Sequence, residues 1–250
     1  MRYTAPMMRG QIKSPADGAA VTLNPRGVAE LAADLQKRTA SDRSKRCIVV
    51  IAGIPGCGKS TLARALCIHL NRAEPGAATI LALDGFHLPE EALKRGGHLG
   101  RKGSPGTFDA HAYFKALARS ADPRDHFDVP VYDRRLHEPV FTGKPENRIT
   151  PGTRYILTEG NYLLLDSLPW TAVDDLASVK WLLNVPVEQA RAWLIRRHIA
   201  TGRSIEEAQL KYDTNDKPNT QLVLDRGRHG DRVLTWPAQM LDGDICDTLQ

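Results

Sequence analysis

The chain has 250 residues, 42% hydrophobic and 25% charged, with 34 Lys/Arg against 29 Asp/Glu and a formal net charge of +5. These proportions are those of an ordinary globular chain, and the longest apolar runs, Cys47–Ala52 and 162–165, fall far short of the roughly 20 residues that span a bilayer. The basic residues are scattered without an aromatic-interleaved stripe, so neither nucleic acid nor membrane is expected as partner, and the mild positive excess suits an anionic small molecule.

Residues 1–24 are rich in Pro, Gly and small side chains and read as a loose N-terminal arm. Arg2 and Arg9 have no apolar segment behind them, so no secretory signal is expected. The four cysteines, Cys47, Cys57, Cys67 and Cys246, show neither CxxC pairing nor His partners at ligand spacing. No zinc site or disulfide framework is therefore expected, and a reducing, cytoplasmic location is. Asn24-Pro25 reads as an N-cap with Pro at N1, opening a helix in which Val28, Leu31, Ala32 and Leu35 share a face. After a charged break at 41–46, Cys47–Ala52 is an apolar, β-branched run of buried-strand type, and a helix follows over about 59–71. Strands are expected at 79–83, 154–158 and 179–185, and helices at 109–120, capped by Asp109, and at 188–200. The glycine-rich stretch 85–106 reads as a loop-rich insertion over the site. Near the C-terminus a helix at 219–226 and a strand at 232–236 complete the series. Strands alternating with helices at this spacing indicate an α/β domain, over 25–250, with a mainly parallel sheet covered on both faces.

The segment Gly53-Ile54-Pro55-Gly56-Cys57-Gly58-Lys59-Ser60-Thr61 matches G-x-x-x-x-G-K-[ST] at every fixed position, between a strand and an amphipathic helix. Glycines there let backbone N–H groups turn inward on phosphate oxygens, and the helix N-terminus adds its dipole. Lys59 would contact the β- and γ-phosphates and Ser60 would ligate Mg²⁺. ATP and Mg²⁺ are thus the expected cofactors. Cys57, beside a lysine and a helix N-terminus, is expected to have a lowered pKa; a redox-sensitive thiol and a small side chain tolerated at a variable position are both open readings.

Two apolar strands run into acids, Asp84 and Glu159, at the strand ends where an open parallel sheet binds its ligands. Phosphoryl transfer to an alcohol needs one carboxylate to take up the acceptor proton and acidic help with the metal. Asp84 opens the long insertion and is assigned to the acceptor; Glu159 is assigned to the metal with Ser60. On sequence grounds the two roles are exchangeable. The expected activity is transfer of the γ-phosphoryl group to a hydroxyl of a small molecule. The alternative is a nucleotide-dependent regulator or assembly ATPase that turns over without an acceptor; the absence of an N-K-x-D motif counts against a GTPase.

The P-loop, Asp84-Gly-Phe-His87, Arg101-Lys-Gly-Ser-Pro-Gly-Thr-Phe-Asp109, Val129-Pro-Val-Tyr-Asp133 and Glu159-Gly-Asn-Tyr162 occur in the order found in one kinase group. Over residues 47–236 the chain resembles the P-loop kinases that include uridine kinase, phosphoribulokinase and bacterial-type pantothenate kinase. It looks most like the branch of nucleoside kinase-like or fructose-transport-associated kinases. The resemblance implies a three-layer P-loop NTPase fold with a helical lid, supports Asp84 as base, and places Tyr132 in the acceptor pocket with Asp133, Arg134 and His137 as further acceptor contacts. His87 and Lys102, in the insertion, are expected to reach the acceptor as well, Lys102 and Arg101 being open also to a reading as exposed loop charges. It also implies that Arg196-Arg197-His198-Ile-Ala-Thr-Gly-Arg203 belongs to a lid, over about 191–212, whose Arg196, Arg197 and Arg203 close on phosphate. Arginines there suit the charge that spreads over the transferring phosphoryl oxygens. Tyr132 is followed by Asp133-Arg134-Arg135-Leu136-His137, unlike uridine kinase, and the pantothenate acceptor and coenzyme A sites find no counterpart. The substrate (sugar, nucleoside or pantothenate-like) is therefore not carried across.

Overall fold

The computed structural model describes residues 20–237; the proposed arm up to residue 19 and Cys246 lie outside the described residues. In chain order the elements are β1 (Val21–Thr22), α1 (Pro25–Ala40), β2 (Cys47–Ala52), α2 (Lys59–Ala73), β3 (Ala78–Ala82), α3 (Glu90–Arg95), α4 (Ala110–Arg119), β4 (Phe127–Asp128), β5 (Val131–Asp133), β6 (Glu138–Val140), β7 (Arg148–Ile149), β8 (Tyr155–Gly160), β9 (Val179–Leu183), α5 (Val187–Ala200), α6 (Ile205–Lys211), α7 (Lys217–Arg226) and β10 (Arg232–Thr235). The main sheet has the order β1-β10-β9-β2-β8-β3, every pair parallel. From β2 the chain builds β3 and β8 on one side, then β9 and β10 on the other. The carboxyl end of β2 is therefore a switch point, where such sheets open a crevice for ligand. Two small antiparallel pairs, β4–β7 and β5–β6, lie outside this sheet.

All six residues of β2 and all six of β8 are buried, as continuous apolar runs in a doubly covered sheet must be. Asn24 caps α1 by accepting from the Gly27 N–H at 2.8 Å, and Asp109 caps α4 by accepting from Ala112. Arg46, buried just before β2, donates to five carbonyls, those of Ser120, Pro123, Asp125, Thr150 and Thr153, at 2.7–3.2 Å. It ties the end of α4 to the turn before β8.

Several boundaries differ from the sequence expectation. The last residues of the expected arm are part of the sheet: β1 pairs with β10, Leu23 is fully buried and its N–H donates to the Thr235 carbonyl. The strand expected to run directly into Asp84 stops at Ala82, and Leu83–Phe86 form a 3₁₀ turn that carries the aspartate. Strand β8 extends two residues further than expected, so Glu159 is a strand residue, not a strand end. The insertion at 85–106 is partly helical, with α3 inside it.

Candidate active site

A cavity of about 710 Å³ opens over the carboxyl end of the sheet. Its floor is the P-loop and the start of α2: Gly56, Gly58, Lys59, Ser60 and Thr61 all line it. Gly56 (φ 77°) lies so close to α5 that an added Cβ would come within 2.4 Å of Leu194 Cγ and 2.7 Å of the Ala190 carbonyl. The left-handed backbone and this contact together demand glycine. Lys59 is buried, with Nζ donating to the Ile54 carbonyl at 2.8 Å inside the loop.

Ser60 Oγ donates to Glu159 Oε1 at 2.7 Å. The hydroxyl comes from the first turn of α2 and the carboxylate from β8, which neighbours β2 in register. Glu159 is 5% exposed. Burial pushes its pKa up and the Asp84 charge adds to this; Lys59, Ser60 and Arg134 pull the other way. The electrostatics thus place Asp84 close enough to Glu159 for the two carboxylates to repel.

Asp84 faces the same cavity from the 3₁₀ turn after β3, with Arg134 Nη2 at 3.9 Å from Oδ2. The wall beside it holds His87, Lys102, Tyr132, Arg134 and His137. His87 is sandwiched between Phe108 and Tyr132, with ring centroids at 4.1 and 4.6 Å, and Nδ1 meets the Asp84 carbonyl at 2.8 Å. Burial lowers its pKa, against the pull of Asp84. Tyr132 is pushed up to about 12, by burial first and then by the Asp84 charge. Lys102 bonds Glu90 Oε1 at 3.4 Å, contacts the His137 carbonyl and lies over the Tyr132 ring at 5.6 Å. His137 holds a positive φ of 56° at the tip of the β5–β6 hairpin.

The third wall comes from the helices after β9. Arg197 and Arg203 line the cavity, on either side of the Thr201-Gly202 turn between α5 and α6. Arg196 is exposed on α5 and is not brought to the cavity. Gly53 and Cys57 do not line it either. The expectation for Cys57 is reversed: its thiol is fully buried behind the loop, and burial pushes its pKa up, outweighing the Lys59 charge. A thiol held in this way is neither a ready thiolate nor a cavity contact.

Sequence reading missed several cavity residues: Arg64, Trp193, His198, Lys211, Asn215, Asp216 and Asn219. His198 Nε2 and Asp216 Oδ2 are 2.7 Å apart and both are buried. Residues Tyr212–Asp216 form a π-helical turn between α6 and α7, a local widening that turns side chains off the ordinary helical register. Asn215 Nδ2 donates to the Lys102 carbonyl at 3.1 Å and Asn219 Nδ2 to the Gly103 carbonyl at 3.5 Å; the Tyr162 hydroxyl donates to that same Gly103 oxygen at 2.6 Å. The polar run 213–216 directly after an amphipathic helix was the one available signal.

A parallel sheet whose central strand ends in a phosphate-binding loop, with a hydroxyl and a buried carboxylate paired beside it, defines a P-loop nucleotide-binding enzyme. No protein-family model matches the chain. A Schizosaccharomyces pombe protein named for uridine kinase, C227.14, is 32% identical over 188 residues, covering 72% of this chain and 78% of that protein. The pantothenate kinase of Yersinia enterocolitica is 27% identical over 159 residues, covering 61% of this chain and 49% of that enzyme. Among solved structures, a Silicibacter sp. TM1040 protein named for a fructose transport system kinase is 29% identical, with a TM-score of 0.73 over 84% of this chain and 98% of its own. The chain belongs to the P-loop small-molecule kinases of the uridine kinase and pantothenate kinase group. It is an ATP-dependent kinase that moves a phosphoryl group to a small molecule. No helix among the described residues is long and apolar enough to cross a membrane.

Proposed function

We propose that this kinase transfers the γ-phosphoryl group of Mg·ATP to an acceptor hydroxyl whose proton Asp84 takes up. The observation that carries the reading is the Ser60–Glu159 pair beside the P-loop, with Asp84 in the same cavity and close enough to raise the pKa of Glu159. The amides of 53–61 and Lys59 hold the β- and γ-phosphates. Lys59 leaves the Ile54 carbonyl to do so.

Ser60 and Glu159 offer two hard oxygen donors, a set that fits Mg²⁺, which takes one or two protein oxygens and completes its shell with phosphate and water. The metal, when bound, neutralises charge on the phosphate oxygens. Glu159 must be ionised for this role; burial and the Asp84 charge oppose that form in the ligand-free site, while Lys59 and the Ser60 hydrogen bond favour it.

Asp84 stays on the acceptor side because Arg134, His87 and Tyr132 surround it there. His87, neutral by burial, presents its remaining ring nitrogen to the acceptor. Lys102, Tyr132, Arg134 and His137 supply further polar contacts for a hydroxyl-bearing acceptor. Residues 191–212 act as a lid: Arg197 and Arg203 close on the transferring phosphoryl group, and Arg196 joins them only if α5 turns. The left-handed Gly202 (φ 98°) is the hinge.

The test is transfer of label from [γ-³²P]ATP to an acceptor, with Ser60→Ala and Glu159→Gln titrated against Mg²⁺. Both variants should need at least tenfold more Mg²⁺ for half-maximal rate. An unchanged Mg²⁺ requirement in both would refute the metal assignment.

A further inference from the structure

Seven Lys/Arg side chains line the cavity (Lys59, Arg64, Lys102, Arg134, Arg197, Arg203 and Lys211) against four carboxylates, Asp84, Glu90, Glu159 and Asp216. Most have evident work. Lys59 sits in the P-loop, Arg64 on α2 beside it, and Arg134 pairs with Asp84. Lys211 does not. Half-buried at the end of α6, it makes no hydrogen bond or ion pair among the described residues. The cavity carboxylate on the following turn, Asp216, is taken up by His198 at 2.7 Å.

Charges of both signs act on Lys211. Burial lowers its pKa; Asp216 opposes this, and the charges of Arg203 and Lys102 add to it. Lys102 contacts the His137 carbonyl and has Glu90 at 3.4 Å, a carboxylate it shares with Lys94 at 3.8 Å. Hydrogen bonds tie the segments that carry the two lysines to each other. Asn215, four residues beyond Lys211, donates to the Lys102 carbonyl at 3.1 Å, and Asn219 reaches Gly103 next to it. The fold thus fastens the Lys211 turn onto the Lys102 loop, and both side chains line the same cavity, where like charges repel more strongly as they are desolvated. An anion placed between them removes that repulsion and gains charge-assisted hydrogen bonds. Lys102 lies over the ring of Tyr132, which feels the Asp84 charge.

We propose that Lys211 and Lys102 form an oxyanion subsite that reads a carboxylate or phosphate on the acceptor. The acceptor class is then an anionic hydroxylated metabolite, a hydroxy acid or a sugar phosphate, in preference to a free sugar or a neutral nucleoside. This rests on the reading that the Asp84 side holds the acceptor.

The test is a calorimetric titration of the protein saturated with Mg·AMPPNP, so that no turnover is needed. Glycerate is compared with glycerol and ribose 5-phosphate with ribose, which separates a carboxylate from a phosphate as the recognised group. At least one anionic partner should bind tenfold or more tighter than its neutral counterpart. Lys211→Gln should erase that preference and Lys211→Arg restore it, both with unchanged AMPPNP affinity and Tm. No preference for either anion, absence of binding included, overturns the subsite, as does a preference that survives Lys211→Gln. A loss of AMPPNP affinity in Lys211→Gln overturns it too, since the lysine would then serve the triphosphate. Asp84→Asn separates the two readings. If the anion preference persists while Asp84→Asn keeps full turnover, the base assignment fails and the subsite stands.

Discussion

Asp84 and Glu159 repel one another within one cavity, and they sit in different environments. Glu159 is buried, bonded to Ser60 and raised in pKa; Asp84 is more open and faces Arg134. A carboxylate whose pKa is raised on folding adds to stability below its ordinary value and forfeits that contribution as pH climbs through the raised one. At neutral pH Glu159 therefore costs stability. Glu159→Gln should raise the Tm of the ligand-free protein at pH 7 by about 2–4 °C, with the gain vanishing below pH 4, while kcat falls. Calorimetry at the two pH values checks this; a lower Tm at pH 7 would mean that the ionised carboxylate is stabilising. Asp84→Asn should lower kcat by about 10²–10⁴-fold, the usual share of a general base, with ATP affinity intact by equilibrium binding. The reversed expectation for Cys57 belongs at this scale too. Sequence supplied its charged neighbour, whereas burial, which dominates, is set by residues far along the chain.

At the scale of elements, the local grammar was legible: Asn24 and Asp109 caps, the buried β2 run and the P-loop turn all rest on neighbours within a few residues. What could not be read depends on tertiary docking. The strands of β4–β7 and β5–β6 are two or three residues long, too short to show a period of two. His198–Asp216 and the Asn215 and Asn219 bonds to the 102–103 backbone join segments that only the fold brings together. That clamp makes a prediction. Asn215→Ala should raise KM for the acceptor about three- to tenfold with little change for ATP, because the Lys102 loop loses a tie on its acceptor face. Steady-state kinetics with each substrate varied decides it, and an effect confined to ATP would contradict it. Gly56→Ala tests the opposite wall. Its Cβ would drive into Leu194 and Ala190, so it should weaken ATP binding and destabilise the protein by about 1–3 kcal/mol.

Across the whole molecule, one parallel sheet places the P-loop, the two acids and the helical wall at a single switch point. Arg46 shows how the far end is held, with one buried guanidinium satisfying five carbonyls from the segment after α4 and the turn before β8. Arg46→Met should cost about 3 kcal/mol in urea unfolding and lower activity only through stability. The order of motifs along the chain was enough to place it in its kinase group, since each motif sits on a strand end or loop that the alternating pattern already positions. The acceptor was not readable, because the wall proposed to hold it is assembled from the β5–β6 hairpin, the 102–103 loop and the π-helical turn, three segments without a shared sequence signal. The most direct measurement is ADP release with Mg·ATP across a panel of hydroxylated acceptors, for the wild type, Lys59→Ala and Asp84→Asn. The account predicts at least one acceptor that raises turnover well above background, with the increment lost in both variants. Turnover that ignores every acceptor, is abolished by Lys59→Ala and is untouched by Asp84→Asn would contradict it.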